Sequence, residues 1–360
     1  MSLYSDMCKK EEQPNYKCPK ISLQGGVLTP KGVAAFANIE PEHFYWSNID
    51  QLNKVINRNL WIKYFIDNKY EKDNWIDFER EIEKVILMVK LFFDTLPTLY
   101  DKKIENSFDR ETISIIELFS DNNNGFPLER NRSLLLDDIN QSKIDGLKKN
   151  IIRTMVEHLD DLIDGLKIYF VEFVDKIDIK KITPAISKIK NAKVLNFNYT
   201  DYILRYSNVD AKSIHHIHGE IRDDNPDNNM VLGINDENVI DNDFVYFFKF
   251  FQRIQKRTGV MYKTWARSYD AEGYPMPYHV YVFGHSLDSN DKSILSYFFE
   301  SEKVGKIIIF NYNQSAYETQ VINLINMFGK DFVIENVSNN RIQFFSIQEC
   351  ELTNRPVEIK

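Results

Sequence analysis

After residue 190, short apolar runs alternate with helical stretches, and this alternation constrains the fold more than any other feature of the 360-residue chain. The runs fall at residues 194–197, 214–218, 230–234, 279–283 and 306–310. Helical patterns occupy residues 243–266, 290–300 and 315–328, and two short runs, 332–335 and 342–347, close the chain. Apolar β-rich runs separated by helices predict parallel strands covered on both faces. The expected fold class is α/β, a mainly parallel sheet with a large helical region.

That helical region covers residues 45–190. Leu52, Val55, Ile56, Leu60 and Tyr64 recur at helical spacing, predicting one helix over residues 49–66. Ile82, Val85, Ile86 and Val89 make a second buried stripe, with Asp73 or Asn74 as its cap and Pro97 as its stop. A third pattern runs from residue 134 to about 179, where Gly146 and Gly165 argue against an unbroken helix. Residues 1–44, with Pro14, Pro19, Gly25, Gly26 and Pro30, predict a poorly ordered or divergent lead-in. Residues 191–360 form the α/β domain.

Composition excludes several classes of function. Hydrophobic residues make up 43% and charged residues 27%, values of a globular chain with a sizeable core. The formal net charge of −8 argues against a broad nucleic-acid footprint, which requires a basic face. Arg253, Lys256 and Arg257 cluster on one predicted helix, where a solvated face explains them. Three cysteines, Cys8, Cys18 and Cys350, indicate neither a disulfide framework nor a zinc site. The first residues lack the pattern of a secretory leader. The longest apolar run, residues 85–93, is too short for a membrane span and is broken by Lys90. A cytoplasmic location is expected.

Three predicted strands end in polar residues. Val194-Leu195-Asn196-Phe197 runs into Asn198-Tyr199-Thr200-Asp201, Ile214-His215-His216-Ile217 into His218-Gly219, and Val280-Tyr281-Val282-Phe283 into Gly284-His285-Ser286-Leu287-Asp288, with Asp291 beyond. In open α/β sheets ligands bind beyond the carboxyl ends of strands, so one shared pocket is expected. Asn198 offers both a donor and an acceptor to a ribose hydroxyl or a water, or else caps a turn. His218 can accept a proton near neutral pH, and Gly219 permits close approach to the backbone. On a strand His216 and His218 share a face while His215 points away, which leaves a metal site incomplete; a hydrogen-bonded structural role fits His215 or His216 better. The 284–291 turn, opening a helix, suits a diphosphate or ribose. It half-resembles the serine-hydrolase elbow, but Asp288 replaces the second glycine and no His follows His285. No glycine-rich phosphate loop of a standard type is present.

Together these stretches resemble the bacteriophage abortive-infection AbiH family. The resemblance rests on Leu195-Asn196-Phe197-Asn198-Tyr199-Thr200, Ile217-His218-Gly219, Val231-Leu232-Gly233-Ile234 and Val282-Phe283-Gly284-His285-Ser286-Leu287-Asp288 with Asp291. Trp75-Ile76-Asp77-Phe78-Glu79 is a weaker match. The family is distantly similar to sirtuin-like domains, which bind NAD in a Rossmann-type fold. The resemblance therefore implies a phage-defence protein with a Rossmann-like (sirtuin-like) domain and NAD as a substrate rather than a resident cofactor. It assigns Asn198 and His218 to cleavage, and Tyr199, Thr200, Asp201, Gly219, Gly284, His285, Ser286 and Asp291 to the nucleotide. Its other implied partners are a phage-derived trigger and a second copy of the chain, with no membrane. In one respect the chain departs from the family: the usual opening strand with its Gly-Asn-Gly-Phe-Asp turn is not found in residues 1–60. That departure favours the alternative reading, a sensor that binds a nucleotide or phage component without turnover.

Overall fold

The computed structural model describes residues 46–68, 78–98, 107–120, 141–176, 186, 189, 191–221, 229–235, 241–267, 273 and 276–347. The 1–44 lead-in, Asp73, Asn74 and Trp75-Ile76-Asp77 lie outside them. In chain order the helices are α1 (Trp46–Arg58), α2 (Leu60–Asp67), α3 (Phe78–Thr95), α4 (Arg110–Phe119) and α5 (Gln141–Tyr169). Strand β1 (Val194–Asn196), helix α6 (Tyr202–Tyr206) and strand β2 (Ile214–His216) follow, then helices α7 (Lys249–Gln255) and α8 (Met261–Trp265). The last part comprises β3 (Tyr278–Val282), α9 (Lys292–Phe299), β4 (Val304–Asn311), α10 (Gln314–Phe328), α11 (Lys330–Ser338) and β5 (Ile342–Ser346). The fold is mixed α/β, mostly helical, with small parallel sheets.

The chain divides into two compact units. The first takes the residues up to Asp178 together with His218–Arg257; the second takes Ile179–Ile217 and Thr258 onward.

In the first unit, apolar stripes of α1 to α5 form the core. Trp61, Ile82, Ile86, Phe92, Ile116, Phe119 and Ile151 are fully buried. The helix predicted over residues 49–66 is two helices, because Asn59 caps the second. Its side-chain oxygen accepts the N–H groups of Trp61 (3.0 Å) and Ile62 (3.1 Å), and its Nδ2 donates to the carbonyl of His158 (2.6 Å). By contrast, α5 continues unbroken through Gly146 and Gly165 and passes into a π-turn, Phe170–Val174. Gly165 serves packing: a Cβ there would lie 2.9 Å from Val55 Cγ1 of α1.

Residues 230–234 are not a strand, although their sequence reads as one. Their backbone is satisfied at alternate residues by the α7 segment instead. Ile234 donates to the Phe247 carbonyl (2.8 Å) and accepts from the N–H of Lys249 (2.9 Å). The Gln252 side chain accepts from the N–H of Leu232 (3.0 Å) and donates to its carbonyl (2.9 Å). Lys256 Nζ donates to the carbonyl of Met230 (2.7 Å). Thus residues 234, 232 and 230 meet 248, 252 and 256 in turn. The match works because two residues of extended chain rise about 6.6 Å and four residues of helix about 6 Å. A helix edge replaces the neighbouring strand, and Gly233 admits it: a Cβ there would stand 2.5 Å from the Phe247 carbonyl. Burial pulls the Lys256 ammonium below the usual lysine range, against the opposing pull of Asp160 and Asp164, and pushes the Asp160 carboxyl upward.

The second unit holds all five strands among the described residues. β1 pairs parallel with β2, and β3-β4-β5 form a parallel three-stranded sheet in that order. Ile307 and Ile309 of β4 are fully buried with Leu324 of α10 and Phe299 of α9. Ile217, Tyr262 and Ile294 form a second cluster, and Phe197 packs against both. The helix predicted over residues 243–266 is interrupted: Asn242–Phe247 is a 3-10 turn, and Arg257 (φ 53°) and Gly259 (φ 85°) separate α7 from α8. Residues 332–335, predicted as a strand, lie in α11, where Val333 and Asn336 are buried one turn apart. A four-residue apolar run does not distinguish the two periods.

Candidate functional site

The site is built upward from the end of β1. Asn196 is buried, and its side chain folds the next residues back on themselves. Its Oδ1 accepts the N–H of Asn198 (2.9 Å) and its Nδ2 donates to the carbonyl of Thr200 (3.1 Å). The side chain of Asn198 is left exposed at the tip, with Tyr199, Thr200 and Asp201 half-buried beside it.

Parallel pairing sets Asn196 opposite His216 on the last rung of the β1–β2 ladder. His216 Nδ1 lies 3.3 Å from Asn196 Nδ2 and 3.2 Å from the carbonyl of Asn198. Its Nε2 lies 3.2 Å from Asp201 Oδ1. The ring thus touches the start, the tip and the end of the 196–201 turn. A bare Nδ1 accepts from Asn196; a protonated Nδ1 donates to Asn198. β2 ends at His216, so the period-two alternation does not reach His218.

The loop after β3 meets the 196–201 turn through one ring contact. The ring of Phe197 stands edge-on to His285, with centroids 4.3 Å apart. His285 Nδ1 accepts the N–H of Leu287 (2.8 Å), which fixes the proton of a neutral ring on Nε2, directed at Asp291 Oδ2 (3.4 Å). The loop carbonyls are held by α10: Gln320 Nε2 donates to His285 (3.1 Å) and Phe310 (3.3 Å), and Asn323 Nδ2 donates to Ser286 (2.9 Å). Gly284 (φ 62°) and Leu287 (φ 58°) are left-handed. For leucine this conformation is costly, and full burial of its side chain holds it there. A Cβ at Gly284 would meet nothing within 4 Å, so this glycine serves the backbone turn and leaves open space beside it.

His215 is committed elsewhere in the second unit. Its Nδ1 accepts the N–H of Tyr262 (3.4 Å), so Nε2 donates to the carbonyl of Thr258 (2.9 Å). His218 and Gly219 belong to the first unit. The buried His218 accepts from the N–H of Val231 at its carbonyl (2.8 Å). Gly219 (φ 82°) faces Asn229, whose carbonyl would lie 2.1 Å from an added Cβ. The backbone that approaches this glycine is the chain's own.

Asn198, Tyr199, Thr200, Asp201, Gly284, His285, Ser286 and Asp291 therefore fall in one unit, and Phe197 against His285 joins their two loops. Asn196, His216, Gln320 and Asn323 support them. Sequence reasoning gave His216 a hydrogen-bonded structural role, shared with His215, and missed the other three, because strand register and helix placement carry that information. Asn196→Ala should cost about 1–3 kcal/mol by leaving two backbone groups unpaired. Asn198→Ala should stay within about 0.5 kcal/mol. Urea unfolding of the two variants checks the contrast.

This is an α/β protein with polar loops gathered at the carboxyl ends of parallel strands. The family model for bacteriophage abortive infection AbiH matches residues 42–312, well over half of the chain. The chain belongs to the AbiH family of bacteriophage abortive infection proteins. No curated protein and no solved structure matches it. Among the described residues no helix is long and apolar enough to cross a membrane.

Proposed function

We propose that this protein acts in phage defence by hydrolysing NAD or a related nucleotide at the strand ends of the second unit, on a Rossmann-like (sirtuin-like) plan. One observation carries this reading: the 196–201 turn and the 284–291 loop, each following the carboxyl end of a parallel strand, meet where Phe197 packs on His285, and α/β folds take nucleotides at such strand ends. Asn198 presents an amide to the nicotinamide ribose and a water, while Gly284, Ser286 and Asp291 line the ribose or phosphate side. The glycosidic C–N bond breaks and nicotinamide leaves with the electron pair. Water bonds to the ribose carbon and releases its proton to solvent. Purified protein should release nicotinamide from NAD, with or without a phage lysate as trigger. Asn198→Ala should lower the rate at least about tenfold. NAD left intact under both conditions removes the hydrolase reading.

A second reading, binding without turnover, draws on the histidines of the second unit's strand ends. His215, His216 and His285 each have both ring nitrogens within reach of protein groups. Calorimetric binding of NAD that is recovered unchanged supports the sensor.

A further inference from the structure

The cations of this chain are not spread evenly. Residues 179–217 carry seven Lys or Arg and two Asp, in a chain with 45 Lys or Arg and 53 Asp or Glu. Within that stretch, residues 179–193 hold five Lys and no acid, and run straight into β1. Lys193 and Lys212 stand at the amino ends of β1 and β2, opposite the ends that carry the candidate site. Helix α8 lies beside them. Lys193 Nζ donates to Ser213 Oγ (3.1 Å) and stands 6.0 Å from the centre of the Trp265 ring. Lys263 Nζ is 5.9 Å from the Tyr262 ring, and Arg267 Nε donates to the Tyr297 hydroxyl (3.1 Å). Among the described residues none of Lys193, Lys212, Lys263 and Arg267 makes an ion pair. In the first unit, by contrast, Lys84, Lys90, Lys148, Lys176 and Lys249 each pair with a carboxylate. The carboxylate next to Lys212 is turned to the backbone: Asp210 accepts the N–H of Lys212 (2.9 Å).

At the start of α8 two aliphatic side chains are exposed, Val260 at 58% and Met261 at 37%. Tyr262 and Ala266 turn inward, while Thr264 and Arg267 are exposed with the aliphatic pair. We propose that this end of the second unit rests on an anionic lipid surface, its cations on headgroup phosphates and Val260 and Met261 at the acyl boundary. Four cations left without carboxylates complement a dense layer of phosphates. Aliphatic tips beside them gain from lipid, whereas a single-stranded polynucleotide needs open rings on which its bases stack. Here the rings are covered: Tyr262 is buried and Lys193 lies over Trp265. The contact is peripheral and needs no crossing helix.

Vesicle sedimentation with the full chain tests this. Wild type should pellet with phosphatidylcholine vesicles containing about 30% phosphatidylglycerol, and stay in solution with phosphatidylcholine alone. Salt at about 1 M should release it. Lys193→Glu with Lys212→Glu should weaken binding at least about tenfold. The same charge change at exposed positions of the first unit, Lys54→Glu with Lys149→Glu, should leave binding within about twofold. Val260→Asp should weaken it several-fold without changing the circular dichroism, since the side chain is exposed. A wild type that ignores phosphatidylglycerol overturns the proposal. Equal losses from the two charge pairs overturn it too, as does a Val260→Asp variant that binds as wild type does. If the chain ignores the vesicles and instead binds a single-stranded oligonucleotide, losing it in Lys193→Glu with Lys212→Glu, the face belongs to nucleic acid and the lipid proposal falls.

Discussion

Replacing Gly219 with alanine should cost the first unit more than about 3 kcal/mol, enough to unfold much of it at 37 °C. Two effects combine. The residue sits at φ 82°, where side chains other than glycine's are strained. The new Cβ would also lie 2.1 Å from the backbone oxygen of Asn229, an atom that cannot swing aside as a side-chain tip can. Moving it would disturb the Val231–His218 hydrogen bond and, beyond it, the Met230 carbonyl held by Lys256. Gly284→Ala is the matched control. It carries similar backbone strain (φ 62°) but meets no neighbour within 4 Å. Its cost should be about 1–2 kcal/mol. Denaturant midpoints for the pair separate strain from collision; equal losses would show that Asn229 yields.

The second large effect is expected from Trp61→Ala, which should destabilise the first unit by about 3–5 kcal/mol. The indole is fully buried, with Phe119 at 4.8 Å and Phe65 and Phe247 at 6.4 Å between ring centroids. Its Nε1–H donates to the Met155 carbonyl of α5 at 2.9 Å. Trp61→Phe keeps most of the packing and loses that donor, so it should cost only about 1–2 kcal/mol. Urea unfolding followed by circular dichroism checks both. A loss below about 1 kcal/mol for the alanine variant would mean that the aromatic cluster closes over the gap.

The alternation after residue 190 carried much of the fold. β1, β3, β4 and β5 lie within a residue or two of the predicted runs, because β-branched and aromatic residues between turn signals have few other stable options. The failures share a physical cause. Residues 230–234 have the composition of a strand, yet Gln252 and Lys256 take the place of a neighbouring strand. No local pattern reveals which distant group will satisfy a backbone amide. Asn59 split a helix by capping it, a role its side chain allows but does not compel. Gly165 looked like a break and proved to be a contact.

At the candidate site, the polar strand ends were legible as residue types, and Phe197 against His285 shows two of the loops in contact. Their division of labour was not legible. Asn196 and Asn198 look equivalent in sequence, but pairing with His216 buries one and leaves the other at the tip. Likewise, His285 is tied by Leu287 and Asp291, a geometry that depends on left-handed backbone at Leu287, which sequence gives no reason to expect.

Each unit is assembled from two separated stretches of one chain, and this governs how the polypeptide can be cut or synthesised. No single break separates one unit cleanly from the other. A fragment ending near residue 190 would have α1 to α5 but not the Gln252 and Lys256 contacts with residues 230–234. During synthesis the β1–β2 pair precedes β3 by about sixty residues, so the second unit is expected to mature late and to depend most on prompt chain closure.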